Sequence, residues 1–359
     1  MKKKKVAIVG SVGLPANYGG FETMVNYLTI EKNESIDFTV FCQKTSKDKQ
    51  LKIYNGSKLK YLPFKANGAQ SIIYDITAII LSWFKYDAIL ILGTPGCLIL
   101  PFLRPFKKTT TIVNFGGLEW KRDKWGKFGK WYLKTTEKVA MKYASIVVAD
   151  NQYFCEYIQK AYKIKGVLIE YGGDHVLNRP KHEKLIAKYP FLENQYDVSV
   201  SRAQEDNNLH LVLEAYTKTP NRNIVLVSNY DKFEYGKQLK EKFSNSPNIF
   251  LQDAVYDLNE LDVIRSNASI YIHSHKFCGT APSLVEAMNL GLGVISFNMP
   301  TNRVTTEEKA YYFTTSDELS ELLGKISATD ILSLASDMKE IALRRYTWKR
   351  ISNRYAELF

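Results

Sequence analysis

The chain has 359 residues, 45% of them apolar, which is enough for two domains that each bury a core at roughly 100–200 residues per domain. A disordered tail and a small disulfide scaffold are thereby excluded. The formal net charge of +12 is uneven: residues 1–178 hold 27 Lys/Arg against 14 Asp/Glu, and residues 179–359 hold 22 against 23. This asymmetry argues against a uniformly basic coat and for one half that faces an anionic partner, whether nucleic acid, acidic membrane or phosphorylated substrate.

The four cysteines, Cys42, Cys97, Cys155 and Cys278, are far apart and form no Cys-x-x-Cys pair. Neither a zinc site nor a disulfide framework is suggested, and a reducing, cytoplasmic setting is expected. The most apolar stretches, 72–84 and 88–103, are interrupted by Asp75 and by Gly93, Pro95, Gly96 and Pro101. Neither offers the roughly 20 uninterrupted apolar residues that span a bilayer. Lys2–Lys5 is followed only by residues 6–9 before a glycine-rich turn, so the apolar region of a signal peptide is missing.

Short β-branched runs alternate with amphipathic stretches along the whole chain, the pattern of parallel sheets covered by helices. Strands are expected at 5–9, 36–41, 59–63, 88–92, 109–114, 145–149 and 166–170, with helices at 21–31, 69–84 and 127–142. The alternation restarts with strands at 196–201, 224–228, 248–252, 268–273 and 293–297, and helices at 207–216, 233–243, 259–266 and 282–290. The boundary is expected within 172–190, where Tyr171-Gly172-Gly173-Asp174 precedes a polar stretch without period. Residues 328–359 read as helices.

Four segments carry chemistry. Strand 6–9 runs into Gly10-Ser11-Val12-Gly13 and on to Tyr18-Gly19-Gly20 before a helix, an arrangement in which backbone N–H groups and the helix dipole favour a phosphate. The spacing is not that of a dinucleotide fingerprint, and strand 36–41 leads into Cys42-Gln43-Lys44 without a ribose-binding acid, so an NAD enzyme is not expected. In the second half, His273-Ser274-His275 leads through Cys278-Gly279-Thr280 to a helix starting at Pro282. Glu286, one turn in, reads either as an ordinary surface acid or as the acceptor for two adjacent hydroxyls of a ribose. Ser201-Arg202 ends a strand, with Asp206-Asn207-Asn208 at the next helix start; an Arg so placed holds a diphosphate bidentately. Finally, Gly117-Leu118-Glu119-Trp120-Lys121-Arg122 opens a stretch, 120–142, that carries eight Lys/Arg against two Asp/Glu with interleaved aromatics. That composition suits an anionic bilayer or a nucleic acid, or is simply a solvated charged face. No Asp-x-Asp motif, ligand cluster or nucleophile signature is present, so no metal or cofactor is expected.

Tyr18-Gly19-Gly20-Phe21-Glu22-Thr23, Gly117-Leu118-Glu119-Trp120-Lys121-Arg122 with Lys124-Trp125, and Gly279-Thr280 leading to Pro282-Ser283-Leu284 and Glu286-Ala287 resemble the retaining glycosyltransferases of family four, more narrowly their bacterial rhamnosyltransferase-like subgroup. The resemblance spans essentially the whole chain. It implies the GT-B architecture, two Rossmann-like α/β domains facing each other across a cleft. The expected partition is an acceptor-side domain at 1–175, a nucleotide-sugar domain at 176–335, and helices at 336–359 packing back on the first. It further implies that Gly19, Gly20 and Arg202 meet the donor diphosphate, that Glu286 holds the ribose, that Gly279 and Thr280 line the sugar-diphosphate pocket, and that Glu119, Trp120, Lys121 and Arg122 line the acceptor side. Three positions of the second half depart from the family pattern: Cys278 replaces a Glu that meets the donor sugar, Ser201 replaces the Gly of a Gly-Arg pair, and Asn207 replaces a phosphate-contacting Lys. Gly116 stands where the subgroup has Asp.

The expected activity is metal-independent, retaining transfer of a sugar, L-rhamnose from dTDP-rhamnose, to an undecaprenyl-diphosphate-linked saccharide in O-antigen, capsule or cell-wall synthesis. Arg202 would stabilise the leaving group and Glu119 is the candidate base. The alternatives are the same fold with a UDP-hexose donor, and a basic-aromatic nucleic-acid-binding protein; the first reading expects no nucleic-acid partner. With the nucleotide mainly on the near-neutral second half, the basic first half is left for the acceptor diphosphate and for docking at the inner membrane face through Lys121, Arg122, Lys124 and Lys127.

Overall fold

A computed structural model describes residues 3–16, 19–46, 50–68, 70–106, 109–122 and 125–359. Tyr18 of the glycine turn and Lys2 and Lys124 of the basic segments lie outside the described residues. The chain forms two α/β units: Met1–Tyr171 with Trp348–Phe359, and Gly172–Thr347.

The first unit has an eight-stranded sheet of β1 (Lys4–Val9), β2 (Ile36–Gln43), β3 (Ile53–Tyr54), β4 (Ser57–Leu62), β5 (Ala88–Leu92), β6 (Thr110–Phe115), β7 (Ile146–Ala149) and β8 (Val167–Leu168). Its order is β3-β4-β2-β1-β5-β6-β7-β8, parallel except for the β3/β4 hairpin. The central strands are apolar on both faces, with β5 buried throughout, as helices on both sides of a parallel sheet require. The core joins Ala7, Val9, Ile89, Ile91 and Val113 of the sheet to Tyr74, Ala78, Ile79 and Trp83 of the helix Gln70–Trp83.

The final helix, Trp348–Ala356, belongs to this unit. Trp348 stacks on Tyr27 of the helix Gly20–Ile30, with ring centroids 5.0 Å apart, and edges against Tyr171 at 4.8 Å. Inside, the Asn114 amide donates to the Tyr355 hydroxyl at 2.6 Å, and both are buried.

The second unit has six parallel strands, β9 (Asp197–Val200), β10 (Ile224–Ser228), β11 (Ile249–Asp253), β12 (Ile270–His273), β13 (Gly293–Phe297) and β14 (Tyr311–Phe313), in the order β11-β10-β9-β12-β13-β14. Both sheets are thus doubly wound. Strand order reverses between β1 and β5 in the first and between β9 and β12 in the second, and the loops at the carboxyl ends of those pairs are where such folds bind ligands.

The boundaries differ from those expected. The break falls after Tyr171 rather than 175, and the second unit runs to Thr347 rather than 335. The helix Ala328–Arg345 is the reason for the latter: it buries Leu334, Met338, Ile341 and Ala342 and packs on β13 and on the helix Pro282–Leu290. The Tyr355→Phe variant is expected to unfold at lower urea concentration, by about 1–3 kcal/mol, because the buried Asn114 amide loses its acceptor; equilibrium unfolding followed by fluorescence measures it.

Candidate donor and acceptor sites

In the second unit the loops after β9 and β12 are tied together. Ser201 Oγ and His275 Nε2 lie 2.8 Å apart, the Ser274 hydroxyl donates to the Asn207 carbonyl at 2.5 Å, and the Lys276 N–H donates to the Asp206 carbonyl at 3.1 Å. Asn207 is buried and its amide donates to the Arg202 carbonyl at 2.9 Å, so it shapes the loop that presents Arg202. Arg202 itself is exposed.

Beyond β12, the chain turns through Cys278, Gly279 and the buried Thr280 into the helix Pro282–Leu290. Pro282 occupies the first turn, where its missing N–H costs nothing, and no side chain caps the N-terminus at Ala281. Cys278 Sγ lies 3.3 Å from His275 Nδ1. His273 is buried with neither ring nitrogen partnered, its ring 4.4 Å from that of His275. Burial, with His275 adding to it, holds His273 well below the ordinary histidine range.

Glu286 is no ordinary surface acid. Its side chain is 14% exposed and is clamped by two groups: Arg265, from the helix Leu258–Ser266, donates to Oε2, and His175 Nε2 lies 3.3 Å from Oε1. Arg265, 2% exposed, also donates to Asp262 at 2.8 Å. Burial alone would push the Glu286 carboxyl up; the Arg265 guanidinium and His175 outweigh it and bring the carboxyl down to about 2. It is therefore ionised at neutral pH, and each oxygen keeps acceptor capacity beyond its one partner.

Arg265 and His175 escape sequence reasoning because both are distant in the chain from Glu286. Gly173 was the available signal for His175. A Cβ there would lie 2.6 Å from the Val285 carbonyl oxygen, so only glycine lets residues 172–175 lie against the helix that carries Glu286.

In the first unit Gly19 precedes the helix Gly20–Ile30 with φ of 131°, a value suited to glycine. Glu22 in the first turn accepts from the Val12 N–H at 2.8 Å and fixes the loop after β1. A carboxylate thus already sits beside the helix start that was expected to face phosphate.

The acceptor-side residues divide. Glu119–Lys121 forms a single 3-10 turn. Trp120 is tied inward: its indole N–H donates to the buried Glu137 at 2.8 Å, and the Lys134 ammonium lies 4.3 Å from its ring. Glu137, on the helix Lys127–Tyr143, also accepts from Lys134 at 2.8 Å, from Tyr157 at 2.7 Å and from Tyr162. Glu119 accepts from Trp125 Nε1 at 3.2 Å and from Arg122 at 3.5 Å; Lys121 is exposed. Among the described residues no group of three or more His, Cys, Asp or Glu could hold a metal ion.

Two doubly wound units, each with its own switch-point loops, define the GT-B class of fold, and the comparisons agree. Residues 181–345 match the family model described as glycosyl transferases group 1, and residues 3–174 match that of a domain of unknown function, DUF1972. The second unit is thus similar to that family over residues 181–345. Among solved structures it is similar to sucrose-phosphate synthase from Thermosynechococcus elongatus (TM-score 0.83, 16% identity, 99% of this chain and 98% of that one). It is likewise similar to Anabaena HepE in complex with UDP and glucose (TM-score 0.77, 15% identity, 99% and 98%). A third is the E. coli protein titled trehalose-6-phosphate, bound with UDP-2-fluoro glucose (TM-score 0.72, 10% identity, 99% and 98%). No curated protein matches the sequence.

Arg265→Met is expected to destabilise the second unit by about 3–5 kcal/mol, since it strips a buried carboxylate of its main partner. The folded-state pKa of Glu286 lies below its ordinary value of 4.5, so its contribution to stability is present above that value and is lost as pH falls towards 2. Urea midpoints measured from pH 7 to pH 3 should show a shallower acid-side decline in Glu286→Gln than in the parent.

Proposed function

We propose that this chain is a retaining glycosyltransferase that moves a sugar from a nucleotide donor to a lipid-diphosphate-linked saccharide in bacterial surface polysaccharide synthesis, working at the inner face of the cell membrane. The observation that carries this reading is the clamped, ionised Glu286 carboxylate, on the helix that follows β12, whose preceding loop is laced to the one that bears Arg202. An anion fixed in this way accepts from sugar hydroxyls, while Arg202 and the uncapped N–H groups of the helix Pro282–Leu290 favour the negative charge of a departing diphosphate.

L-Rhamnose from dTDP-rhamnose is the donor that the sequence motifs favour. A UDP-hexose is the second reading, and two observations favour it. HepE was solved with UDP and glucose. A carboxylate with acceptor capacity on both oxygens also suits the two hydroxyls of a ribose better than the single one of a deoxyribose.

The membrane part is supported by the helix Lys127–Tyr143. It buries Leu133, Thr136, Glu137, Ala140 and Met141 while Phe128 and Trp131 stand 75% and 61% exposed beside Lys127 and Lys138. Phe102 and Phe106, from the neighbouring segment that begins with the short helix Leu100–Leu103, are also exposed. Among the described residues no helix is long and apolar enough to cross a membrane.

A panel of dTDP- and UDP-sugars with a synthetic lipid-diphosphate saccharide, scored by product mass and anomeric configuration, tests the reaction. Arg202→Ala and Glu286→Ala should each lose on the order of 100-fold in turnover while staying folded; turnover near the parent's would sink the assignment. In vesicle sedimentation, replacing Lys121, Arg122 and Lys127 by Glu should release the protein from anionic lipid, and unchanged binding would refute the docking.

A further inference from the structure

The four cysteines stand in different surroundings. Cys42 and Cys97 are buried in the first unit, and their thiols donate to the carbonyls of Val40 and Gly93 at 3.6 and 3.9 Å. Burial pushes the Cys42 thiol up to about 11 and raises that of Cys97 as well. The half-buried Cys155 is pushed up to about 11, first by burial and then by the negative charges of Asp150, Glu156 and Glu170. Thiols held in this way are poor nucleophiles at neutral pH.

Cys278, in the second unit, is half-buried and has a base beside it. Its Sγ lies 3.3 Å from His275 Nδ1, and the other ring nitrogen, Nε2, lies 2.8 Å from Ser201 Oγ. The Ser201 hydroxyl donates to the Arg202 carbonyl at 3.2 Å, so towards His275 its oxygen is left to accept. Assigned from these hydrogen bonds, the neutral ring carries its proton on Nε2 and presents the lone pair of Nδ1 to the thiol. Nucleophile, base and orienting hydroxyl thus follow one another, the arrangement that draws a proton from sulfur.

Two further observations belong to the same place. The turn that holds Cys278 leads into the helix Pro282–Leu290, which no side chain caps, and an open helix N-terminus favours a thiolate over a thiol. On the strand entering the loop, His273 is buried with both ring nitrogens unpartnered, and its ring lies 4.4 Å from that of His275. A buried polar group without a partner costs stability and marks a place where a partner arrives. Here that group abuts the ring that serves the thiol.

We propose that Cys278 is a selective thiol-modification site, at which His275 Nδ1 takes the thiol proton and the sulfur attacks a low-molecular-weight disulfide. One S–S bond forms as the other breaks: Cys278 is oxidised to a mixed disulfide, the small disulfide is reduced, and the departing thiolate takes up one proton from the imidazolium or from water. An excess of small thiol reverses the step. The adduct stands in the turn before the helix of Glu286, on the loop laced to that of Arg202, and so excludes a nucleotide donor. That consequence rests on the glycosyltransferase reading; the reactivity of the thiol does not.

The test treats the full-length chain with dipyridyl disulfide, follows the released thiopyridone by absorbance and locates the label by peptide mass. One equivalent should be released in a fast phase and map to Cys278, and Cys278→Ser should abolish that phase. His275→Gln should slow it roughly tenfold or more, because the thiol loses its base. Unfolding shows in the same assay, since it exposes all four thiols at once. If His275→Gln unfolds, Ser201→Ala, which removes only the orienting hydroxyl, replaces it and should slow the fast phase by a smaller factor. A fast phase that maps to another cysteine, the lack of any fast phase, or an unchanged rate in whichever variant stays folded would each overturn the proposal. Prior addition of UDP or dTDP bears on the donor reading alone: protection of Cys278 supports it, and labelling at the parent rate counts against it while leaving the thiol assignment standing.

Discussion

An ionised carboxylate withdrawn from water is stable only where opposite charge and hydrogen-bond donors replace its hydration, and in the second unit Glu286 imposes that demand on three separate stretches of chain. His175 comes from the segment entering the unit, Arg265 from the end of one helix, and Glu286 from the first turns of another. Arg265 is shared with Asp262, so moving any one of these groups leaves a buried charge exposed to its neighbours without compensation. The clamp thereby fixes the start of the helix Pro282–Leu290. Through Ser274, His275 and Lys276 it also fixes the loop after β9 on which Arg202 stands. Breaking such a pair is costly even where the pair adds little net stability, which is why it serves to locate parts.

The first unit uses the same device for a different end. Glu137 is buried at 2% exposure, and its oxygens are taken by an ammonium, an indole N–H and two phenols. Trp120 is thus an anchor, with its polar edge directed into the unit; of its neighbours Lys121 is exposed, Glu119 half-exposed and Arg122, just past the 3-10 turn, largely covered. The Gly-Leu-Glu-Trp-Lys-Arg motif contains both an internal fastening and a presented surface, and residue type alone does not separate the two.

What was legible in the sequence was whatever rests on local pattern. The strands 88–92, 224–228 and 293–297 and the helix 282–290 coincide with those observed, because a buried parallel strand is a compact apolar run and a helix start marked by Pro is unambiguous. The helices Gln152–Tyr162 and Ser316–Lys325 escaped notice. So did the β3/β4 hairpin, although Asn55-Gly56, both with positive φ, is the strongest short hairpin signal there is; its two-residue strand was too short to draw attention. Of the candidate site residues, Arg202 follows β9 and Thr280 and Glu286 lie in the turn and helix that follow β12, positions that local pattern marks. The electrostatics of the site were not legible, since the state of Glu286 depends on residues 21 and 111 positions away, and Asn207 turned out to hold a loop by its amide.

The one-sided charge noted at the outset takes a more definite form once burial is known. On the helix Lys127–Tyr143 the inward face is complete, with Leu133, Glu137, Ala140 and Met141 covered, so the outward face owes nothing to the fold. An ordinary solvated face carries large apolar side chains singly. This one exposes Phe128 and Trp131, whose rings lie 5.7 Å apart, among lysines. A large apolar side chain moved out of water contributes roughly 1.5–3 kcal/mol, and a lysine near an anionic lipid surface about 1 kcal/mol. Two aromatics therefore weigh as much as several lysines, and the aromatic share is insensitive to salt. A polynucleotide would use the charges and stack on the rings, but it would lose most of its hold as salt rose; a bilayer would retain the apolar part. The proposed docking to lipid rests on this combination on one face rather than on the net charge of the half.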